Sequence, residues 1–421
     1  PNASRNPTSY KSRLRRIWRP SVMTCRTLGQ ICSFKAGTAF PKEYQGLSQG
    51  DYPFIKVKDM NSKDNTCWIK SADNWVSQDI VAELSAKIHP AGSSVFAKVG
   101  EAIRANRVRQ LTKPTIIDNN MMSATPKVGI DADYLYYLLC SMKLSNWVDG
   151  TALPYFKQKT LMQIEIRDPG SVDQQRKVVR LLRLIDDKIS LNNQLNDYLE
   201  QMCQNLFDRF DNDEDNPLVK ISDIADVNPK RPLKKGESAL CVEMADLSTR
   251  GAFPIGWRTK IYNGGARFTN GDTVLARITP CLENGKAGYV NFLNPDEVAF
   301  GSTEFIVLSS RGTLPSEFFY FLSRNADFIS YATAHMNGSS GRQRVSGDDI
   351  GRYEVRMPSG KQVSELKKVL SWSMEVIRAN SIENRNLVLL RDALLPKLMS
   401  GEMDVSNIDL TQPTNNHLAD C

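Results

Sequence analysis

The sequence predicts an α+β fold made by internal duplication: two similar α/β domains separated by two long, antiparallel, coiled-coil-like helices. Two observations carry this. First, the stretches near 172–210 and 361–399 share one heptad seam. An offset of 188 residues superimposes Ile189 on Ile377, Asn192 on Asn380, Asn196 on Asn384, Leu199 on Leu387 and Leu206 on Leu394. Second, each seam follows a stretch with the same order of apolar runs, turns and helical patterns.

In chain order, residues 1–23 form a basic tail with Arg5, Lys11, Arg13, Arg15, Arg16 and Arg19. No apolar core follows these cations, so a secretory signal is not expected. A solvated tail is the simple reading, and an extra arm on nucleic acid the alternative. The first α/β domain is placed at 24–170. It opens at Thr27–Ile31, continues through a basic loop at 35–42, and reaches a strand-like run at Tyr52–Val57. The second domain, at 217–360, repeats this order with 220–225, 229–236 and Leu240–Met244.

The clearest match aligns 90–98 with 269–277 at an offset of 179. Each reads as a glycine turn entering a buried strand that ends in a cation, Lys98 or Arg277. Helices are expected at 133–147 and 316–331, each followed by a polar loop and a last strand, 163–167 or 352–357. Spacer helices then follow at 171–212 and 361–403, and a tail at 404–421. A period of about 190 residues is too long for a solenoid. Antiparallel pairing follows from topology, because each helix leaves its own domain and must end near the other. A helix of about 36 residues is roughly 54 Å long. That holds the two domains well apart.

Composition fits a globular protein, with 41% hydrophobic residues in 421. No apolar run approaches membrane-spanning length, so no membrane association is expected. The eight cysteines are scattered with no C-x-x-C pair and only three histidines, so neither a metal site nor a disulfide framework is indicated. A reducing cytoplasm fits. The net charge of +7 permits a polyanionic partner.

Catalytic patterns are missing. There is no Asn/Asp-Pro-Pro-aromatic corner for amino-methyl transfer, no Walker loop around Gly285-Lys286, and no G-x-S-x-G elbow. Asp296 with Glu304 is the nearest approach to a metal-nuclease cluster and lacks its lysine. The expectation is a chain with no catalysis, metal or cofactor of its own.

Binding chemistry is better represented. The loop before the last strand of the second half offers Asn337, Ser339, Ser340, Arg342, Gln343 and Arg344 between glycines. Arginine pairs bidentately with guanine and glutamine with adenine in the major groove. Its first-half equivalent carries Thr151, Tyr155, Lys157 and Lys159. A solvated surface turn is the plain alternative, but recurrence of the loop at one place in both halves favours DNA. A wider basic set includes Lys98, Arg104, Arg107, Lys230, Lys234 and Arg277, suited to phosphates, which position without reading sequence. The seam asparagines Asn192, Asn196, Asn380 and Asn384 have two readings. They either fix helix register or face a bound subunit.

The run 155–159, Ile164-Glu165-Ile166, Pro169, Gln174-Gln175 and 185–207, with the distal helix 380–398, resembles the DNA-specificity (S) subunit of type I restriction-modification enzymes. The resemblance covers about 24–403. It implies two target-recognition domains that each read half of a split site in double-stranded DNA. It also implies helices that bind two methyltransferase subunits. Adenine methylation by those subunits uses S-adenosylmethionine, and restriction/translocase subunits join them for cleavage. The distal seam departs from the proximal one, with Ser373 and Arg391 where the first helix has Ile185 and Cys203. Two other readings are an interaction scaffold or decoy for methyltransferase subunits, and a nuclease with an unrecognised centre.

Overall fold

The computed structural model describes residues 23–62, 64–150, 153–339 and 341–403. The basic tail, the segment beyond 403, Thr151 and Ser340 lie outside the described residues. The chain divides into two compact units. One holds the residues up to Asp187 with those from Leu387 onward, and the other runs from Lys188 to Asn386. The boundaries fall inside both long helices, so each unit contains a stretch of each helix.

In the first unit a sheet runs in the order Cys32–Ala36, Met121–Pro126, Ser94–Ala97, Val108–Leu111, Trp68–Ile69. A second sheet runs Trp75–Val76, Tyr52–Ile55, Thr115–Ile117, Ile88–His89, with its central pair parallel. Strand Thr24–Thr27 pairs antiparallel with Glu165–Asp168, which ties the start of the domain to its end. The second unit repeats the plan. Ala225–Val227, Phe305–Ser310, Thr273–Ala276 and Ala287–Tyr289 make one sheet. Arg258–Ile261, Ser238–Val242, Ala299–Gly301 and Arg267–Phe268 make the other, again with a parallel central pair. Leu218–Lys220 pairs with Glu354–Arg356. The duplication is thus a duplication of strand order.

Ser94–Ala97 and Thr273–Ala276 are buried along their whole length. Each follows a glycine at positive φ, Gly92 at 81° or Gly271 at 88°. The helix expected at 316–331 is two helices, Phe318–Leu322 and Ala326–Ala334. Asn325 breaks the run by capping the second, its side chain accepting from the Asp327 and Phe328 amides.

The long helices are Val172–Asp211 and Gly360–Met399. In the second unit they pack antiparallel, and the seam asparagines join them. Asn192 Nδ2 donates to Asn384 Oδ1 at 2.9 Å and to Glu383 Oε2 at 2.8 Å. Asn380 Nδ2 donates to Asn196 Oδ1 at 2.8 Å, and Asn384 Nδ2 to Asn193 Oδ1 at 2.9 Å. Of the two readings of these residues, the structure shows the one in which they face the other helix. Buried amides must be hydrogen-bonded, so a shift of register would leave several unpaired. Leu199 and Leu387, equivalents in the repeat, fall in different units. Leu199 is buried in the second unit's core with Ile377, Leu206 packs against the same core, and Leu387 is half-buried in the first unit. Ile189 is also half-buried.

In the first unit Arg391 finds a partner the seam pattern did not show. Its Nη1 lies 2.9 Å from Oδ1 of Asp186, which is 2% exposed, and Tyr137 donates to the other carboxylate oxygen at 2.7 Å. The polar departure of the distal seam is therefore matched by a buried acid. Arg391→Ala should leave that carboxylate without its cation and cost on the order of 3 kcal/mol of unfolding free energy. Chemical denaturation followed by hydrogen exchange at 178–186 measures this, and Arg391→Lys should recover part of the loss.

His89 occupies the sheet position that Phe268 holds in the second unit. It is fully buried, with Nδ1 2.7 Å from the Ser123 hydroxyl. Burial, aided by Lys35 and Lys87, lowers its pKa from 6.5 to about 4. The unfolded chain takes up a proton near 6.5 that the fold refuses. Stability is therefore full above about 6.5 and falls as the pH drops toward about 4. His89→Phe should flatten this acid sensitivity, read by hydrogen exchange of strands 88–89 and 115–117 at two pH values.

Candidate nucleic-acid interface

The loop before the last strand is a closed hairpin in both units. In the first, Asp149 and Tyr155 exchange two backbone hydrogen bonds, each 2.9 Å. In the second, Asn337 and Arg344 do the same at 3.0 and 2.9 Å. Each hairpin is fastened to the strand end that carries the equivalent cation. Phe156 N–H donates to the Lys98 carbonyl at 3.0 Å, and Val345 N–H to the Arg277 carbonyl at 3.0 Å. Further bridges join Val99 to Tyr155 and Ile278 to Arg344. Lys98 and Arg277, aligned in sequence, thus stand at the root of equivalent hairpins.

The second hairpin divides the triplet 342–344. Arg344 is committed: Nε and Nη2 make a fork on Glu304, each bond 2.8 Å. The Arg344 fork, with Arg277 adding its charge, holds the Glu304 carboxyl below the usual carboxylate range. Glu304, the acid nearest to a nuclease pattern in sequence, is therefore engaged by arginine. The Gln343 carbonyl accepts from the Thr279 amide at 3.1 Å, which anchors the backbone and leaves the side chain half-exposed. Arg342 is exposed, and its amide donates to the Ser339 carbonyl at 3.0 Å. Asn337 and Ser339 are exposed on the same loop. Gly338 has φ of 128°, and a Cβ there would stand 3.1 Å from the Arg342 carbonyl oxygen.

In the first hairpin Lys157 lies over the Tyr155 ring and pairs with Asp149 at 3.2 Å. Lys159 is exposed on the short helix Gln158–Met162. Arg104 and Arg107 belong to the turn that follows Lys98. Arg104 pairs with Glu101 at 3.0 Å, and Arg107 donates to Asn61 at 2.6 Å. Lys230 and Lys234 are exposed in the loop leaving strand Ala225–Val227, and among the described residues no hydrogen bond or ion pair joins them to the hairpin. The Trp68 and Trp257 rings are both covered by neighbouring side chains. Arg183 covers the first at 4.3 Å, and Arg385 and Phe292 sandwich or flank the second at 4.2 Å each.

Two features escaped the sequence reading. One is a cleft of about 360 Å³ in the second unit, lined by Asn228, Gly265, Arg267, Arg277, Thr303 and Phe305. Its residues come from segments far apart in sequence, so no local motif announces it. The other is an apolar stripe on the first long helix: Leu191 61%, Leu195 43%, Tyr198 69% and Met202 43% exposed. These recur at spacings of 4, 3 and 4, roughly 100° around the helix from the seam. That second periodicity was readable, but the stronger seam masks it.

Among the described residues no group of three or more His, Cys, Asp or Glu could hold a metal. No helix there is long and apolar enough to cross a membrane.

The family model described as type I restriction modification DNA specificity domain matches residues 20–201. The specificity subunit of the type I restriction enzyme MjaIX from Methanocaldococcus jannaschii is 23% identical, over 92% of this chain and 94% of its own length. The EcoEI specificity subunit of Escherichia coli is 28% identical over 45% of this chain and 33% of its own length. The crystal structure of the type I restriction-modification S subunit from M. genitalium superimposes with a TM-score of 0.58 at 16% identity, covering 90% of this chain and 96% of that one. It shares the fold. Residues 20–201 thus match a type I restriction modification DNA specificity domain, and over most of its length the chain is similar to type I specificity subunits.

Proposed function

We propose that the two hairpins, at 149–155 and 337–344, are the reading heads of a bipartite, gapped DNA target, and that this chain directs adenine methylation and restriction by partner subunits. The observation that carries the assignment is the recurrence of one hairpin on one strand end in both units, with different side chains displayed. A shared scaffold with divergent tips is what two independent half-site readers require. Arg342 and Gln343 are the base-reading side chains of the second hairpin. Arg344 positions them through its fork on Glu304. Tyr155, Lys157 and Lys159 serve the first hairpin, with Thr151 assigned by sequence alone. Lys98, Arg104, Arg107, Lys230 and Lys234 supply phosphate contacts. The chain works in the cytoplasm, where the DNA is.

The partner surface lies on the long helices. Leu191, Leu195, Tyr198 and Met202 make a coherent apolar strip on a face the seam does not use. Such a strip suits a helix of a methyltransferase subunit packing in the same heptad manner. Two such subunits, joined by restriction subunits, complete the complex that the family resemblance implies.

Binding to the chain's own target tests the reading heads. Arg342→Ala should cost about 1–3 kcal/mol and relax one position of one half-site. Lys234→Ala should weaken all sequences alike and flatten the salt dependence by about one unit. Unchanged affinity and preference in Arg342→Ala and Gln343→Ala would make the hairpin a surface turn. A wild-type chain that assembles but shows no sequence preference would favour the scaffold reading. For the helix strip, Leu195→Lys with Tyr198→Lys should leave the fold within about 0.5 kcal/mol, since both are exposed. It should abolish co-elution with methyltransferase subunits in size-exclusion chromatography.

A further inference from the structure

The cleft lined by Arg267 and Arg277 is built as an anion site. Arg277 ends strand Thr273–Ala276, and its backbone is held on both sides: its amide donates to Glu304 at 3.0 Å, and its carbonyl accepts from Val345 at 3.0 Å. That fixes where its side chain leaves the sheet. The Nε atom is buried with no hydrogen-bond partner among the described residues. A buried guanidinium N–H without an acceptor costs free energy that a ligand oxygen would recover. Arg267 enters from the other sheet, where it pairs with Phe300. Asn228 forms a third wall. Its side-chain oxygen is filled by the Val307 amide at 3.0 Å, which leaves its amide nitrogen as the donor.

The acid that Arg277 acts on does not cancel the site. Glu304 gives both oxygens to the Arg344 fork, so that pair is neutral overall and the two lining guanidinium groups remain in excess. Gly265 also lines the cleft. A Cβ on Gly265 would lie 1.9 Å from the Gly301 carbonyl oxygen, so only glycine fits there. A groove with two arginine forks, an amide and a glycine matches the oxygens of a phosphate group.

We infer that this cleft clamps one backbone phosphodiester of the duplex beside the second hairpin, and that the first unit has no counterpart of it. This rests on the hairpin reading above. The asymmetry is visible in the repeat. Arg277 corresponds to Lys98, but Arg267 corresponds to Ile88, which pairs with Ile116 in the same sheet position. The second half-site is thereby held more by charge than the first.

The test uses the complex assembled with its methyltransferase subunits, on a duplex bearing its own target, titrated over a salt series. Arg267→Gln with Arg277→Gln should lower the slope of log affinity against log salt by about one unit, leaving sequence preference intact. Between about 50 and 200 mM salt this removes roughly a three- to fourfold share of the wild-type loss in affinity. Arg267→Lys with Arg277→Lys keeps the charge and should keep the slope, which guards against a folding defect. A duplex with a neutral methylphosphonate at one phosphate should weaken the wild type and not the glutamine variant. An unchanged slope in the glutamine variant overturns the clamp while leaving the hairpin reading intact. Stabilisation of the wild type alone by inorganic phosphate, with an unchanged DNA slope, also overturns it and makes the cleft a free-anion site. Loss of sequence preference in Arg342→Ala is the separate measurement on which the hairpin reading stands or falls.

Discussion

The requirement that buried amides be paired governs the helical part of this molecule. Asn192 is 2% exposed and Asn196 9% exposed, in a first-helix seam otherwise made of Val, Leu, Ile, Cys and Phe. An apolar seam of this kind tolerates sliding by a heptad, because one leucine packs much like the next. Amides do not slide. Asn192 with Asn384 and Asn196 with Asn380 satisfy one another in one antiparallel register, with Glu383 and Ser381 taking the remaining donors. Because the sequence repeats at 188, each asparagine meets the repeat-equivalent of its neighbour rather than its own equivalent. Duplication thus supplies both halves of the lock. The cost is stability, since leucines would bury more apolar surface; the gain is a single pairing.

The same duplication sets the two hairpins. A strand ending in a cation, a hairpin fastened to its last residue, a short helix, and a closing strand pair recur in each unit. What differs is the tip. The first shows a lysine over a tyrosine ring, and the second a pair of arginines, one of them forked on Glu304. A fixed stem lets the tip vary without changing how the domain folds. Arginine beside arginine would repel. The Glu304 carboxylate takes one of them out of play and leaves Arg342 free to reach outward.

Much of this was legible in the sequence, for a physical reason. Heptad spacing and strand runs are local patterns, and a repeat doubles the evidence for each. The seam, its asparagines, the paired cations Lys98 and Arg277, and the place of the loops were all visible this way. What stayed hidden depends on contacts between distant residues. Arg391 looked like a flaw in the distal seam because its partner, Asp186, lies 205 positions away. Arg344 looked like a third free reader because Glu304 is 40 positions away. Asn325, at the end of the polar stretch Ser323-Arg324-Asn325, split a helix that periodicity alone had joined.

The central claim is that each unit reads its own half of one target. Methylome sequencing of a host with and without this gene gives the site; repeating it with residues 217–360 replaced by the corresponding domain of a relative tests the claim. The account predicts a new sequence on one side of the gap, with the other side and its methylated adenine unchanged. A change on both sides, in a complex that still assembles, would contradict it.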